Sequence, residues 1–257
     1  MLTKKSQLFL SSMPKLLPAF GKNSMRPILF DLGNTTVKAW DTATNEFFRL
    51  TLGEFTEFLH NRPDQMIFGY ATGNDAVLSG LKNPIRLLSS EDSMPLTSNY
   101  QDMLTLGMDR WGLCNSYFLE GNDSFLLLTM GTCITYNIVK EGVFLGGAIS
   151  PGWEMRFESM HSMTANLPKA AHNRDSELLG STTLGSLSSG VDVAIQLEIA
   201  AMTEAYSNRF GLKKVIICGG HSNRLSNHAK NYIFAPVNYE LHALRRLHDY
   251  FFKNGTL

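Results

Sequence analysis

The sequence predicts an α/β protein built from two related halves, with a ligand cleft between them. Two stretches carry that reading. "ILFDLGNTTVKAW" (28–40) and "FLLLTMGTCITYNIV" (125–139) share one shape: an apolar strand, a glycine among small hydroxyl residues, then a second strand. After each copy the chain alternates helical and strand-like patterns. A cleft between two such halves is a natural ligand site.

Ile28 to Leu32 reads as a buried strand, Gly33-Asn34 as a tight turn, and Thr36 to Trp40 as the hairpin partner. Leu50 to Asn61 has a helical pattern with Phe55, Phe58 and Leu59 on one side, and Thr51 and Glu54 stand at capping-box spacing. Gln65 to Tyr70 reads as a strand, Asp75 to Leu81 as a helix and Ile85 to Leu88 as a strand. A loop rich in Ser, Pro and Asn covers Ser89 to Asn99, and Leu104 to Phe118 is helical.

From Ser124 the pattern restarts. Phe125 to Leu128 and Ile134 to Val139 are strands around a Gly131-Thr132 turn, and Lys140-Glu141-Gly142 turns the chain into a third strand through Phe144. Leu184 to Phe210 is helical and ends on Gly211, in the usual glycine position past a helix end. Lys214 to Cys218 is a strand running into Gly219-Gly220. Leu241, Leu244, Leu247 and Phe251 form the apolar stripe of a last helix, which places His242 and His248 on a surface helix. The expected division is an extension over 1–26, expected to be disordered, a first domain over 27–123 and a second over 124–257.

The composition is that of an ordinary globular chain. Its 257 residues hold 23 Lys+Arg against 23 Asp+Glu, so no basic excess points to nucleic acid. No run approaches the 18 to 20 apolar residues that a membrane span needs. Cys114, Cys133 and Cys218 are an odd, widely spaced set with no CxxC pair, which favours a reducing, cytoplasmic setting without disulfides or a zinc site. The first 26 residues carry Lys and Arg with no acid. Pro14 and Pro18 break their apolar pieces, so they read as an upstream extension with Met25 at the start of the folded part, rather than as a targeting peptide.

Three clusters carry chemistry. A glycine turn between strands lets backbone N–H groups approach a ligand, so two such turns facing each other would hold a polyphosphate from both sides. Asp31 at a strand end suits water-mediated Mg²⁺ binding, and Lys38 suits phosphate neutralisation. Taken alone, each hairpin is equally an ordinary turn; neither a Walker A sequence nor GxGxxG is present. "LGMDRWG" (106–112) sets Asp109 beside Arg110 at a helix start. That acid suits accepting a proton from a hydroxyl and the arginine suits an anion, although an acid there also simply favours the helix dipole. "FLGGAISPGWEM" (144–155) and Gly219-Gly220 suit a cleft wall or plain turns. Met155, Met160 and Met163 suit helix packing.

The order of these pieces, from Asp31 to Lys38, Gly107 to Arg110, Gly131-Thr132, "GGAISPGWEM", "TANLP" (164–168), "LGSTTLGSLSSG" (179–190) and "CGG", resembles the type III pantothenate kinases from Arg26 to about Leu247. The resemblance implies the actin/sugar-kinase fold of two ribonuclease H-like domains with the nucleotide between them. It implies a homodimer that phosphorylates pantothenate with ATP, the first step toward coenzyme A, using Mg²⁺ and a monovalent cation, K⁺ or NH₄⁺. Carried residue by residue, it makes Asp109 the general base and puts Asp31, Gly33, Asn34, Thr35 and Lys38 in the first phosphate loop. Gly131 and Thr132 fall in the second loop, and Gly219 and Gly220 on the adenosine side. Tyr100, Gly107, Met108 and Arg110 line the pantothenate site, which Thr183 reaches from the partner subunit.

The chain departs from the family where an Asp normally holds the monovalent cation: Thr129 stands there, and Asn137 replaces a second acid. Gln101-Asp102 replaces the usual Asn-Pro after Tyr100. Retention of Asp31, Lys38, Asp109 and Arg110 favours an active kinase with an altered cation site. The alternative is a non-catalytic nucleotide- or pantothenate-binding regulator.

Overall fold

The computed structural model describes residues 26–33, 36–73, 75–225 and 232–256. Apart from Arg26, the expected extension over 1–26 lies outside the described residues, as do Asn34 and Thr35 of the first turn.

Two sheets repeat one topology. In the first, β1 (Ile28–Leu32), β2 (Thr36–Asp41) and β3 (Glu46–Thr51) form an antiparallel meander. On the other side of β1, β4 (Ile67–Ala71) and β5 (Ile85–Leu87) run parallel, giving the order β3-β2-β1-β4-β5. A helix, α1 (Leu52–His60), links β3 to β4. The chain then passes through β6 (Thr97–Ser98) and α2 (Met108–Leu119).

The second sheet has the meander β7 (Phe125–Met130), β8 (Cys133–Lys140) and β9 (Val143–Pro151). Next come α3 (Trp153–Ser162), α4 (Thr183–Ser188), a π-turn over Ser189–Val193 and α5 (Ala194–Phe210). Parallel strands β10 (Val215–Cys218) and β11 (Tyr232–Phe234) complete the order β11-β10-β7-β8-β9-β6. The chain ends in α6 (Tyr239–Lys253). With β6 set aside, β9-β8-β7-β10-β11 reproduces the first sheet strand for strand.

Strand alternation decides which face meets which helix. Ile28, Phe30 and Leu32 point toward α1, whereas Leu29, Phe68 and Tyr70 face Leu241, Leu244 and Leu247 of α6. In the second sheet, Leu126, Leu128 and Tyr136 bury Trp153, Ile195 and Ile199 of α3 and α5. Phe125, Leu127 and Ile216 take Trp111 and Leu113 of α2 on the other face. α2 and α6 therefore lie side by side between the sheets.

Among the described residues, three elements cross the expected chain division at 123/124. β6 and α2 precede it, yet β6 pairs with β9 and α2 packs on the second sheet; α6 follows it yet covers the first sheet. The stripe of α6 shows that the helix is amphipathic but not which sheet it covers. Nor is α6 a surface helix at His248, which is 1% exposed against Phe68; His242 packs edge-on to Trp40. Two of the three methionines expected to pack do not: Met155 and Met163 are exposed, and only Met160 joins the core. The capping box is present, with Glu54 accepting the Thr51 amide and Thr51 accepting the Glu54 amide. Six residues assigned to helix or loop instead form β3, whose outward side chains hide the alternation.

Candidate active site

Strand register sets a row of polar side chains across the first sheet. Arg49 of β3 pairs with Lys38 of β2, Lys38 pairs with Asp31 of β1, and Asp31 pairs with Tyr70 of β4. Directly paired residues project to the same side, so all four lie on the face that α6 covers. From the first turn of α6, Glu240 accepts a hydrogen bond from Lys38 Nζ at 3.0 Å. Burial raises the Asp31 carboxyl to about 7; Lys38 opposes that rise, while Glu240 and Asp109 add to it. Lys38, Glu240 and Asp109 thus all bear on Asp31.

The two hairpin turns differ by one residue. In the first, the Gly33 amide donates to the Thr36 carbonyl at 3.1 Å; in the second, the Gly131 amide donates to the Cys133 carbonyl at 3.0 Å. Thr132 is exposed at the tip of the second turn, and its carbonyl accepts from the Gly152 amide. The Thr129 and Thr135 hydroxyls are 2.6 Å apart across the second hairpin. Thr135 Oγ1 also accepts from Asn137 Nδ2 at 3.0 Å, and Asn137 Oδ1 accepts from Arg110 Nε at 2.7 Å. Arg110 is 5% exposed, and its Nη2 has no hydrogen-bond partner among the described residues. A buried guanidinium with one nitrogen left unpaired suits an anion.

Asp109 stands in the first turn of α2, two residues after Gly107 at the N-cap. A Cβ on Gly107 would stand 2.5 Å from Asp109 Oδ1, so the carboxylate folds back over a position only glycine leaves open. Burial raises the Asp109 carboxyl, against the lowering effect of the amides of Arg110 and of Asp109 itself and of the Arg110 charge. Asp109 is therefore both a helix-start acid and a desolvated carboxyl. Its charge reaches Asp31 on one side and the Cys133 thiol of the second turn on the other.

A cavity of about 460 Å³ opens between the sheets, lined by Lys38, Phe47, Arg49, Gly219, Gly220 and Glu240, among others. Gly219 has φ +100°, and a Cβ there would lie 2.5 Å from the Met130 carbonyl; β10 can pass so close to the second turn only without a side chain. His221 extends that contact, its amide donating to the Met130 carbonyl at 3.0 Å. Tyr100 rests on Phe144, ring centroids 5.9 Å apart, and against Gly146. Met108 touches the apolar clusters of both sheets.

Within one chain the structure thus brings Asp31, Lys38 and Asp109 together, and Gly219 and Gly220 to the same cavity as Lys38. Thr183 is exposed at the start of α4. Glu240, Tyr70 and Arg49 escaped the sequence reading because each enters through long-range register or helix packing.

The donor set suits a divalent cation held through water. Among the described residues no three His, Cys, Asp or Glu side chains could ligate a metal directly, yet the Asp31 carboxyl is desolvated beside two further acids. A monovalent cation is fitted poorly at Thr129, where the two threonine hydroxyls already bond each other.

A family profile for type III pantothenate kinase matches residues 71–205. A type III pantothenate kinase of Christiangramia forsetii is 34% identical over 234 residues, covering 84% of this chain and 95% of its own. The chain belongs to the type III pantothenate kinase family. A second relative of that name, from Flavobacterium johnsoniae, is 29% identical and covers 86% of this chain and 96% of its own. Among solved structures, a Baf family protein from Campylobacter jejuni aligns with a TM-score of 0.65 at 24% identity, over 90% of this chain and all of that one. A structure assigned as a 2-dehydro-3-deoxygalactonokinase from Sinorhizobium meliloti aligns at 0.54 and 12% identity, with the same coverage. The fold is the two-domain, actin-like one of the sugar kinases.

Proposed function

We propose that this protein phosphorylates the terminal hydroxyl of pantothenate with ATP, and that the cleft holding Asp31, Lys38 and Asp109 is where it does so. The convergence of a desolvated acid, Asp109, with the Asp31–Lys38 pair of the first hairpin supports the reading best. Asp109 takes the hydroxyl proton as that oxygen attacks the γ-phosphorus; the new O–P bond forms as the β,γ-bridging bond breaks and ADP leaves. Lys38 and the two turns, at Gly33 and at Gly131-Thr132, bear on the phosphate charge. Bound Mg²⁺ would add charge neutralisation, with Asp31 holding its water shell.

Arg110, with its unpartnered Nη2, receives the pantothenate carboxylate; Tyr100, Gly107 and Met108 complete that pocket. Gly219 and Gly220 carry the nucleoside end. The assay is ADP release with pantothenate present and absent. Equal release in both, or none in either, rejects the reading.

The active species is a homodimer in which Thr183 serves the partner's site. Leu178, Leu179, Leu184 and Leu197, around α4 and on α5, are each more than half exposed, which favours a covered apolar surface there. Sedimentation that gives an active monomer at the lowest concentrations would contradict this. The three free thiols and the need for ATP favour the cytoplasm.

A further inference from the structure

The Tyr70 hydroxyl is a buried member of the first sheet's polar row that the mechanism leaves without a task. The residue is 1% exposed, and its oxygen has no hydrogen-bond partner among the described residues. The ring is packed among apolar side chains. It sits with Leu29, Phe68, Leu88 and Leu247, and Tyr70 Cε1 comes within 3.7 Å of where a Cβ on Gly112 of α2 would stand. Its register partner is Asp31, on the neighbouring strand and the same face, about 4.8 Å away in the hydrogen-bonding direction. A buried hydroxyl without a partner costs about 1–3 kcal/mol, so one retained beside a carboxylate calls for something to donate to.

We propose that Tyr70 is a positioning residue for the cation site: its O–H donates to the water shell that Asp31 carries, fixing the waters through which a divalent cation is held. The phenol stays a donor throughout. Burial first, then the charges of Asp31, Glu240 and Asp109, push it well above its ordinary value, so it does not ionise at working pH. The row then has a division of labour. Lys38 and Arg49 offer positive charge at one end, Asp31 takes the cation in the middle, and Tyr70 orders its solvent at the buried end. The proposal rests on the kinase reading only for the identity of the nucleotide.

The test is calorimetric titration of ADP at graded Mg²⁺ concentrations, without pantothenate, on the parent and on Tyr70→Phe. The variant keeps the ring and its packing and deletes only the hydroxyl. The half-saturating Mg²⁺ concentration is expected to rise about fivefold to tenfold, the loss of one hydrogen bond, with Mg²⁺-free ADP binding unchanged. The thermal midpoint is expected to hold or rise, because a buried unpaired hydroxyl is removed. An unchanged Mg²⁺ dependence overturns the proposal, and so does a lowered thermal midpoint with equal losses of Mg²⁺-dependent and Mg²⁺-free binding, which makes the role structural. Parent protein that binds Mg²⁺ and ADP but leaves pantothenate unphosphorylated sinks the kinase reading while this inference stands. A parent that binds no nucleotide sinks both.

Discussion

Across its cleft-side row the first sheet reads Arg49, Lys38, Asp31, Tyr70; at the equivalent positions the second sheet reads Ile149, Thr135, Thr129, Cys218. The backbones are the same meander with the same two parallel strands, yet one row is charged and the other neutral. A duplicated scaffold therefore carries charged groups beside one turn and neutral ones beside the other. The neutral row is tied through Asn137 to Arg110, so its polar groups brace that arginine. What differs between the halves is charge, and charge is what substitution tests.

Asp109 stands between the rows, and its loss is expected to have the largest effect. Asp109→Asn should lower turnover by about 10² to 10⁴, as for a lost general base, with little change in the Michaelis constant for ATP. Because burial raises its carboxyl, the parent should lose activity as pH falls through that raised value and gain it as pH rises. Turnover in the variant within a few fold of the parent, with the same acid limb, would remove Asp109 from the role.

Giving the first row the second row's residue is the next test. Asp31→Thr deletes the acid that makes the rows different, and should weaken Mg²⁺-dependent nucleotide binding roughly 10- to 100-fold, the range of a charge-assisted hydrogen bond. The same variant reports on stability. The folded protein holds the Asp31 proton up to about 7, against an ordinary 3.8, so it binds a proton there that the unfolded chain has lost. Stability from this group is full below about pH 4 and is lost as pH rises through 7. Nucleotide-free parent should thus melt at a higher temperature at pH 5.5 than at pH 8, and Asp31→Thr should narrow that gap. A gap of the same size in both proteins would assign the proton elsewhere.

Local signals were legible in the sequence. Both hairpins, the capping box at Thr51 and Glu54, and the Gly211 stop, at φ +65°, rest on residues close together in the chain. Sheet membership was not legible. Ser98 lies in a stretch with loop composition, yet it extends the second sheet by pairing with Phe144. Lys38 was legible as a cation but its partner Glu240, 202 positions away, was not, because helix packing alone joins them. The same holds for Tyr70: nothing in "IFGYATGN" distinguishes a core tyrosine from one aligned with an acid on the next strand. The two turns looked alike as strings, and only the register shows that they differ by one residue.

Restoring an acid to the neutral row is the finest test and should have the smallest effect. Thr129 and Thr135 now satisfy each other at 2.6 Å, so the second turn offers a monovalent cation only neutral oxygens. A unit charge about 3 Å from such an ion is worth about 5 kcal/mol at an effective dielectric near 20, before solvent compensates. Solvent and the nearby Arg110 cancel most of that, which leaves a change in cation response rather than in turnover. The parent is accordingly expected to respond weakly to K⁺ and NH₄⁺, with half-activation at unusually high concentration. Thr129→Asp is expected to lower that concentration about tenfold and to leave the maximal rate within about threefold. Tight, saturable activation of the parent by K⁺, unchanged in Thr129→Asp, would mean that another group holds the cation. The contrast between the rows would then concern only how Arg110 is braced.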